Sequence, residues 1–289
     1  MEDNNKFQIK TPSEEEMKKA HEDHMLYLRR NPNNFSFWFP QLKTVRDHGI
    51  HVPESYIVEV PEEVYRAFFQ ERGGDKRLIR QWVHQKILPV IKEHFHNKEV
   101  FVKNGCYSGK FSFDKCCHIP ADATLKEITE HLCDIQYDAL CAGLNGAGGY
   151  LEIVIREWIR PENFTEKIYG GMPLRPEIRM FYDFTSHRPL YAVNYWDWDY
   201  CHEAIAYREE DFKVYERVYP SLLQKLRVLT EKHWHTICEA LRHVQMQGLW
   251  SVDFILEEKK VWLIDAAIAS MSAYWDPERA ANENDNIII

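Results

Sequence analysis

Residues 101–113 read FVKNGCYSGKFSF, and the fold turns on how this stretch is read. An apolar opening, Phe101 and Val102, delivers Lys103. Small residues follow (Asn104, Gly105, Ser108, Gly109), then Lys110 and a second alternating run that predicts another strand. A lysine ending a strand projects from a rigid platform, and glycines let backbone N–H groups approach an anion closely. The pattern suits a polyphosphate gripped from both ends of a loop. It is also compatible with a surface hairpin carrying two solvated lysines. It is not a Walker loop, because G-x-x-x-x-G-K-[ST] is absent.

Working outward, SEEEMKKAHEDHMLYLRR predicts a helix near 13–30 with opposite charges four apart, broken by NPNN. The segment 42–64 reads as a short helix, a Gly turn, a strand Tyr56–Val60, and a helix after Pro61. Residues 75–97 are helical, with Pro89 interrupting them. Thr124 and Glu127 form a capping box opening a helix over 124–144 that ends on LNGAGGY. YLEIVIREWI (150–159) is a strand, and PEIRMFYDF with PLYAVNYWDW is a strand pair turning at TSHR. A long amphipathic helix is expected over 221–247, from Ser221 to Gly248. LWSVDFIL and VWLIDAAI then make a hairpin around EEKK, and NENDNIII is a tail. Antiparallel pairs with helices between them predict an α+β fold rather than a doubly wound parallel sheet.

Three further motifs carry chemistry. Asp253 and Asp265 interrupt apolar strand runs, where a charge is costly unless paired or bound to a metal. Facing each other, the two carboxylates would suit Mg²⁺ carrying a nucleotide phosphate. They share a face only if the pairing register sums to an even number, which requires an odd turn or a bulge. Otherwise one lies in solvent and the other pairs with an arginine. Glu177 and Arg179 stand two apart on one strand face, where Arg179 is a fork for a transferring phosphate or a partner in a cross-strand ion pair. REWIRPEN (156–163) is an extended segment whose backbone suits a purine edge, with Trp158 or Ile159 on the ring and Glu162 on the ribose; an edge strand with an interface tryptophan reads the same way.

The chain has 289 residues, 45% apolar and 28% charged, with net charge −9. That balance argues against nucleic-acid binding through a broad basic surface. No run is long and apolar enough to span a membrane, and the polar N-terminus is not a signal peptide. Seven cysteines without a C-x-x-C pair predict reduced thiols in a cytoplasmic protein; CCH at 116–118 is the one hint of a metal ligand set.

In this order, the motifs between about 42 and 276 resemble an ATP-grasp domain, over roughly four-fifths of the chain. GIHVPESYIV, FVKNGCYSGKF, REWIRPE, EIRMF and SVDFIL…VWLIDAA are similar to its opening strand, paired lysines, hinge, Glu-x-Arg and metal strands. Lys103, Lys110 and Arg179 most resemble the compact clade named for one arginine and two lysines. That clade includes phage and conflict-system proteins, with relatives among translation-factor assembly chaperones. The resemblance implies two α+β lobes clamping ATP: a lead-in 1–41, a lobe 42–99, a central lobe 100–160, a C-terminal lobe 161–280 and a tail 281–289. It implies that Lys103 and Lys110 bind phosphates, Glu157, Trp158 and Ile159 adenine, Glu162 ribose, and Asp253 and Asp265 Mg²⁺. Lys110 and Arg179 would be the catalytic pair of an ADP-forming carboxylate–amine (or thiol) ligase, acting on a small-molecule or peptide carboxylate and an amine through an acyl phosphate. The alternative is a non-catalytic ATP-binding assembly factor. One position departs from the pattern: its final metal-binding asparagine is Ala267, so Ser270, Ser272 or water would have to substitute. The oligomeric state is not specified.

Overall fold

The computed structural model describes residues 12–69, 76–143, 151–162 and 165–281. Helix α1 (Glu14–Arg30) starts on a Ser13–Glu16 capping box, and Asn31 of NPNN is its C-cap. Helix α2 (Phe35–Leu42) leads through a 3₁₀ turn to Gly49, whose φ of +86° is the left-handed turn expected there. Strand β1 (Ser55–Glu59) and helix α3 (Glu62–Phe69) follow. The interruption expected at Pro89 begins earlier, because a π turn at Val83–Ile87 joins α4 (Lys76–Trp82) to α5 (Leu88–Phe95).

Strand β2 (Val100–Asn104) carries Lys103 as expected, but the run after the glycine loop is not a strand. Lys110–Ser112 is a 3₁₀ turn running into the one-turn helix α6 (Phe113–Cys116), then the short strand β3 (His118–Ile119). Gly109 permits this at φ +61°, and a Cβ there would stand 2.9 Å from that of Cys116. Helix α7 (Leu125–Gly143) opens on the expected Thr124–Glu127 box; LNGAGGY lies outside the described residues. Strand β4 (Glu152–Glu157) follows.

The remaining elements are β5 (Lys167–Ile168), β6 (Met172–Pro173), β7 (Glu177–Asp183), β8 (Arg188–Asn194), α8 (Trp198–Ile205), α9 (Glu209–Arg242), β9 (Leu249–Leu256), β10 (Val261–Ile268) and α10 (Pro277–Ala281). Helix α9 begins twelve residues before the expected start at Ser221 and contains Pro220. Its first turn, Glu209, Glu210 and Asp211, complements the helix dipole, so the proline removes one hydrogen bond without ending the helix.

Two four-stranded antiparallel sheets result, ordered β1-β4-β2-β3 and β10-β9-β7-β8, so the α+β expectation holds. Strand β1, from the segment expected to be a lobe of its own, is an edge strand of the central sheet. In that sheet Val100, Val102, Ile153 and Ile155 pack on the helices, while Phe101, Lys103 and Arg156 point the other way into a cleft. In the second sheet Ile178, Met180, Val252 and Phe254 share a core with Leu226, Leu229 and Ile237 of α9. Glu177, Asp253 and Asp265 point from its opposite face into the same cleft. Among the described residues no helix is long and apolar enough to cross a membrane.

Candidate functional site

The β9–β10 register puts Asp265 directly opposite Asp253. Pairing runs regularly from Val261↔Leu256 to Leu263↔Phe254, then shifts by one residue between Leu263 and Asp265. A regular strand would send Leu263 and Asp265 to the same face. The bulge at Ile264 keeps Leu263 in the core and turns Asp265 to the cleft. It also leaves the Ile264 carbonyl to accept the Arg156 guanidinium from the other sheet.

Strand β7 lies on the far side of β9, with Arg179 opposite Asp253. Arg179, Asp253 and Asp265 therefore form one rung across three strands. The Arg179 Nε and Nη2 atoms donate to the two Asp253 oxygens at 2.8 and 2.7 Å. Lys103 reaches across from the central sheet and donates to both oxygens of Asp265, at 2.7 and 2.9 Å. Charge-assisted pairs of this geometry are the strong ones. Asp253 is buried, and it raises the Arg179 pKa against the effect of desolvation.

Lys110 behaves differently. Its ammonium sits 3.6 Å from the centre of the Tyr195 ring and makes no ion pair within 4 Å among the described residues. Burial pushes its pKa down, and the Glu177 carboxylate counteracts part of that effect. Glu177 is itself buried, with one oxygen unpartnered; desolvation pushes it up to about 7 against the pull of Lys110.

Beyond β4, Trp158 stacks on Phe101 with its ring 9° from parallel, and the Arg175 guanidinium lies 5.5 Å from the centre of the Trp158 ring. Arg175 donates from Nη2 to the Ile159 carbonyl at 2.9 Å, so that acceptor of the expected adenine edge is occupied. Glu157 bonds instead with the Glu54 backbone. Glu157, Trp158 and Ile159 line the cleft, which spans about 670 Å³ with its open mouth included. Glu162 does not. It faces a separate depression and pairs with Lys225 on α9 at 3.0 Å.

The sequence reading omitted Arg156, Arg175 and Tyr195, and weighed Glu177 without assigning it to the site. Arg156 is the one with a sequence signal, a charge inside the strand run LEIVIRE, like the two aspartates.

The cleft fits a polyanion. Besides Lys110, the buried Nη2 of Arg156 and Nε and Nη1 of Arg175 have no hydrogen-bond partner. The fit to Mg²⁺ is narrower. Two facing carboxylates are suitable hard ligands, but each already holds a cation, and no group of three metal-binding side chains occurs among the described residues. Of the possible substitutes for the missing asparagine, the Ser272 hydroxyl bonds to Ser251 and to the Ile268 carbonyl. CCH at 116–118 forms no metal group either; Cys116 and Cys117 are buried, free thiols.

No family model matches this chain, and no curated protein matches it significantly. Solved structures do. The structure of Cdc123 from Schizosaccharomyces pombe superposes with a TM-score of 0.54 at 15% identity, covering 88% of this chain and 93% of that one. A C-terminally truncated form of the same protein gives 0.53 over the same shares. The fold is therefore the ATP-grasp fold. The likeness is to Cdc123 and is one of fold; no phage or conflict-system protein is among these neighbours. The expected ligase activity is corrected accordingly: the solved structures that resemble this chain are those of Cdc123, and none of them is a ligase by its description.

Proposed function

We propose that this protein is a non-catalytic, ATP-binding assembly factor. The observation that carries the nucleotide reading is Lys110: a cation without an ion-pair partner among the described residues, lining the same cleft as the strand-borne cation Lys103. A buried ammonium is costly without a compensating anion, and a nucleotide phosphate supplies one. In this reading Trp158 and Ile159 flank the base, Lys103, Lys110 and Arg179 hold phosphates, and Asp253 and Asp265 receive the Mg²⁺ that accompanies them. Nothing here requires a covalent step. The likeness to Cdc123 and the alanine at position 267 both support binding over turnover.

The test is calorimetric titration of ATP with Mg²⁺ into the wild type and Lys110→Ala. Affinity should fall at least about tenfold in the variant, the range for one charge-assisted contact, with unfolding unchanged or improved. Equal affinity would remove Lys110 from the site. Steady phosphate release by the wild type would remove the non-catalytic part of the reading.

A further inference from the structure

We infer that Asp265 is a built-in competitor for nucleotide phosphate, so that this cleft excludes the metal-free nucleotide. The inference rests on the nucleotide reading above. Its basis is where Lys103 spends its charge. This lysine is 2% exposed, and both short contacts of its ammonium go to one carboxylate on the facing sheet. Asp265 thus occupies the position on Lys103 that a phosphate oxygen would take.

Three features make this a poised exchange. Asp265 reaches Lys103 only because of the Ile264 bulge, so the pairing follows from the strand register. The same bulge supplies the Ile264 carbonyl to Arg156, which places two ties between the sheets side by side. The neighbouring Asp253 is saturated by Arg179 and cannot compensate a released Asp265.

When a phosphate takes Lys103, Asp265, whose side chain is 35% exposed, loses its cation beside a polyanion, and two like charges face each other in the cleft. A divalent cation arriving with the nucleotide removes that repulsion by bridging both. Nucleotide and cation are then coupled through Asp265, each strengthening the other's binding. A plain metal ligand would act differently, because removing it would weaken the metal-bound complex and leave the metal-free one unchanged.

The experiment titrates ATP, with excess EDTA or with Mg²⁺, into the wild type, Asp265→Asn and Glu257→Gln. Glu257 is the control: it carries the same unit charge in the turn just after β9, but its carboxylate takes the Trp262 indole N–H at 3.2 Å and does not pair with Lys103. We expect the wild type to bind ATP in EDTA at least about tenfold more weakly than with Mg²⁺, and Asp265→Asn to recover that loss in EDTA while Glu257→Gln does not. Amine acylation followed by peptide mapping gives a second readout, with Lys103 labelling faster in Asp265→Asn than in the wild type. Equal binding of both forms by the wild type, or an EDTA affinity of Asp265→Asn no better than the control's, overturns the exchange and leaves the nucleotide reading intact. Absence of ATP binding by every chain, with or without Mg²⁺, overturns both.

Discussion

Two sets of ion pairs lie near segment 158–162, and their shortest contacts are nearly equal. In the cleft, Arg179–Asp253 and Lys103–Asp265 close at 2.7 Å. In the second depression, Arg217–Glu166 and Lys225–Glu162 close at 2.9 and 3.0 Å. The difference lies in what surrounds them. The Arg179 and Asp253 side chains are 14% and 5% exposed, while those of Arg217 and Glu166 are 61% and 43% exposed. Coulomb attraction at one distance varies severalfold between such surroundings, and so does the cost of losing a partner. Distance therefore does not separate a structural or functional pair from an ornamental one. Burial and strand register do.

The largest effect should come from breaking the most buried pair. Asp253→Ala strands the Arg179 guanidinium in a nearly closed space and should lower unfolding stability by about 3–5 kcal/mol, read from the urea midpoint. Replacing both partners at once, Asp253→Leu with Arg179→Met, should recover most of that loss, because no unpaired charge remains. A loss below about 1 kcal/mol in the single variant would put this pair in the class of the exposed ones.

A second test uses pH. Burial raises the Glu177 carboxyl from 4.5 to about 7, with Lys110, Arg175 and Arg179 pulling it down and Asp253 pushing it up. Between those two values the folded chain holds a proton that the unfolded chain has released. Its contribution to stability is complete below about 4.5 and is lost as pH rises through about 7. The unfolding free energy of the wild type relative to Glu177→Gln should therefore fall across this window, by at most about 1.4 kcal/mol per pH unit. Parallel profiles would mean that Glu177 is as well solvated as the carboxylates of the second depression.

The comparison also marks what the sequence could reveal. A charge inside an apolar strand run is visible in one dimension, so Lys103, Asp253 and Asp265 were legible, and so was the parity condition on the two aspartates. Which device met that condition was not, because a bulge at Ile264 leaves no composition signature. The turn after Gly109 read as a strand because three alternating residues, Phe111, Ser112 and Phe113, fit either state. Ser221 read as the opening of the long helix because serine is a favoured cap, yet twelve residues of α9 precede it. Arg156 carried the same signal and was passed over, whereas Arg175 and Tyr195 enter the cleft through the docking of one sheet on another, a long-range arrangement that no local pattern encodes. The same docking leaves Glu162 outside, although its spacing from Trp158 suggested a ribose ligand.

Glu162 therefore gives the sharpest small prediction. Its side chain is 58% exposed, its partner Lys225 is 40% exposed, and neither lines the cleft. Water screens both charges, and holding two long side chains together costs entropy that offsets much of the attraction. Glu162→Ala should shift stability by no more than about 0.5 kcal/mol and leave the affinity for ATP with Mg²⁺ within about twofold of the wild type. A tenfold loss of affinity without a change in stability would mean that the nucleotide extends past Ile159 into the second depression. The two sets of ion pairs would then belong to one site, and Lys225 would be the next residue to replace.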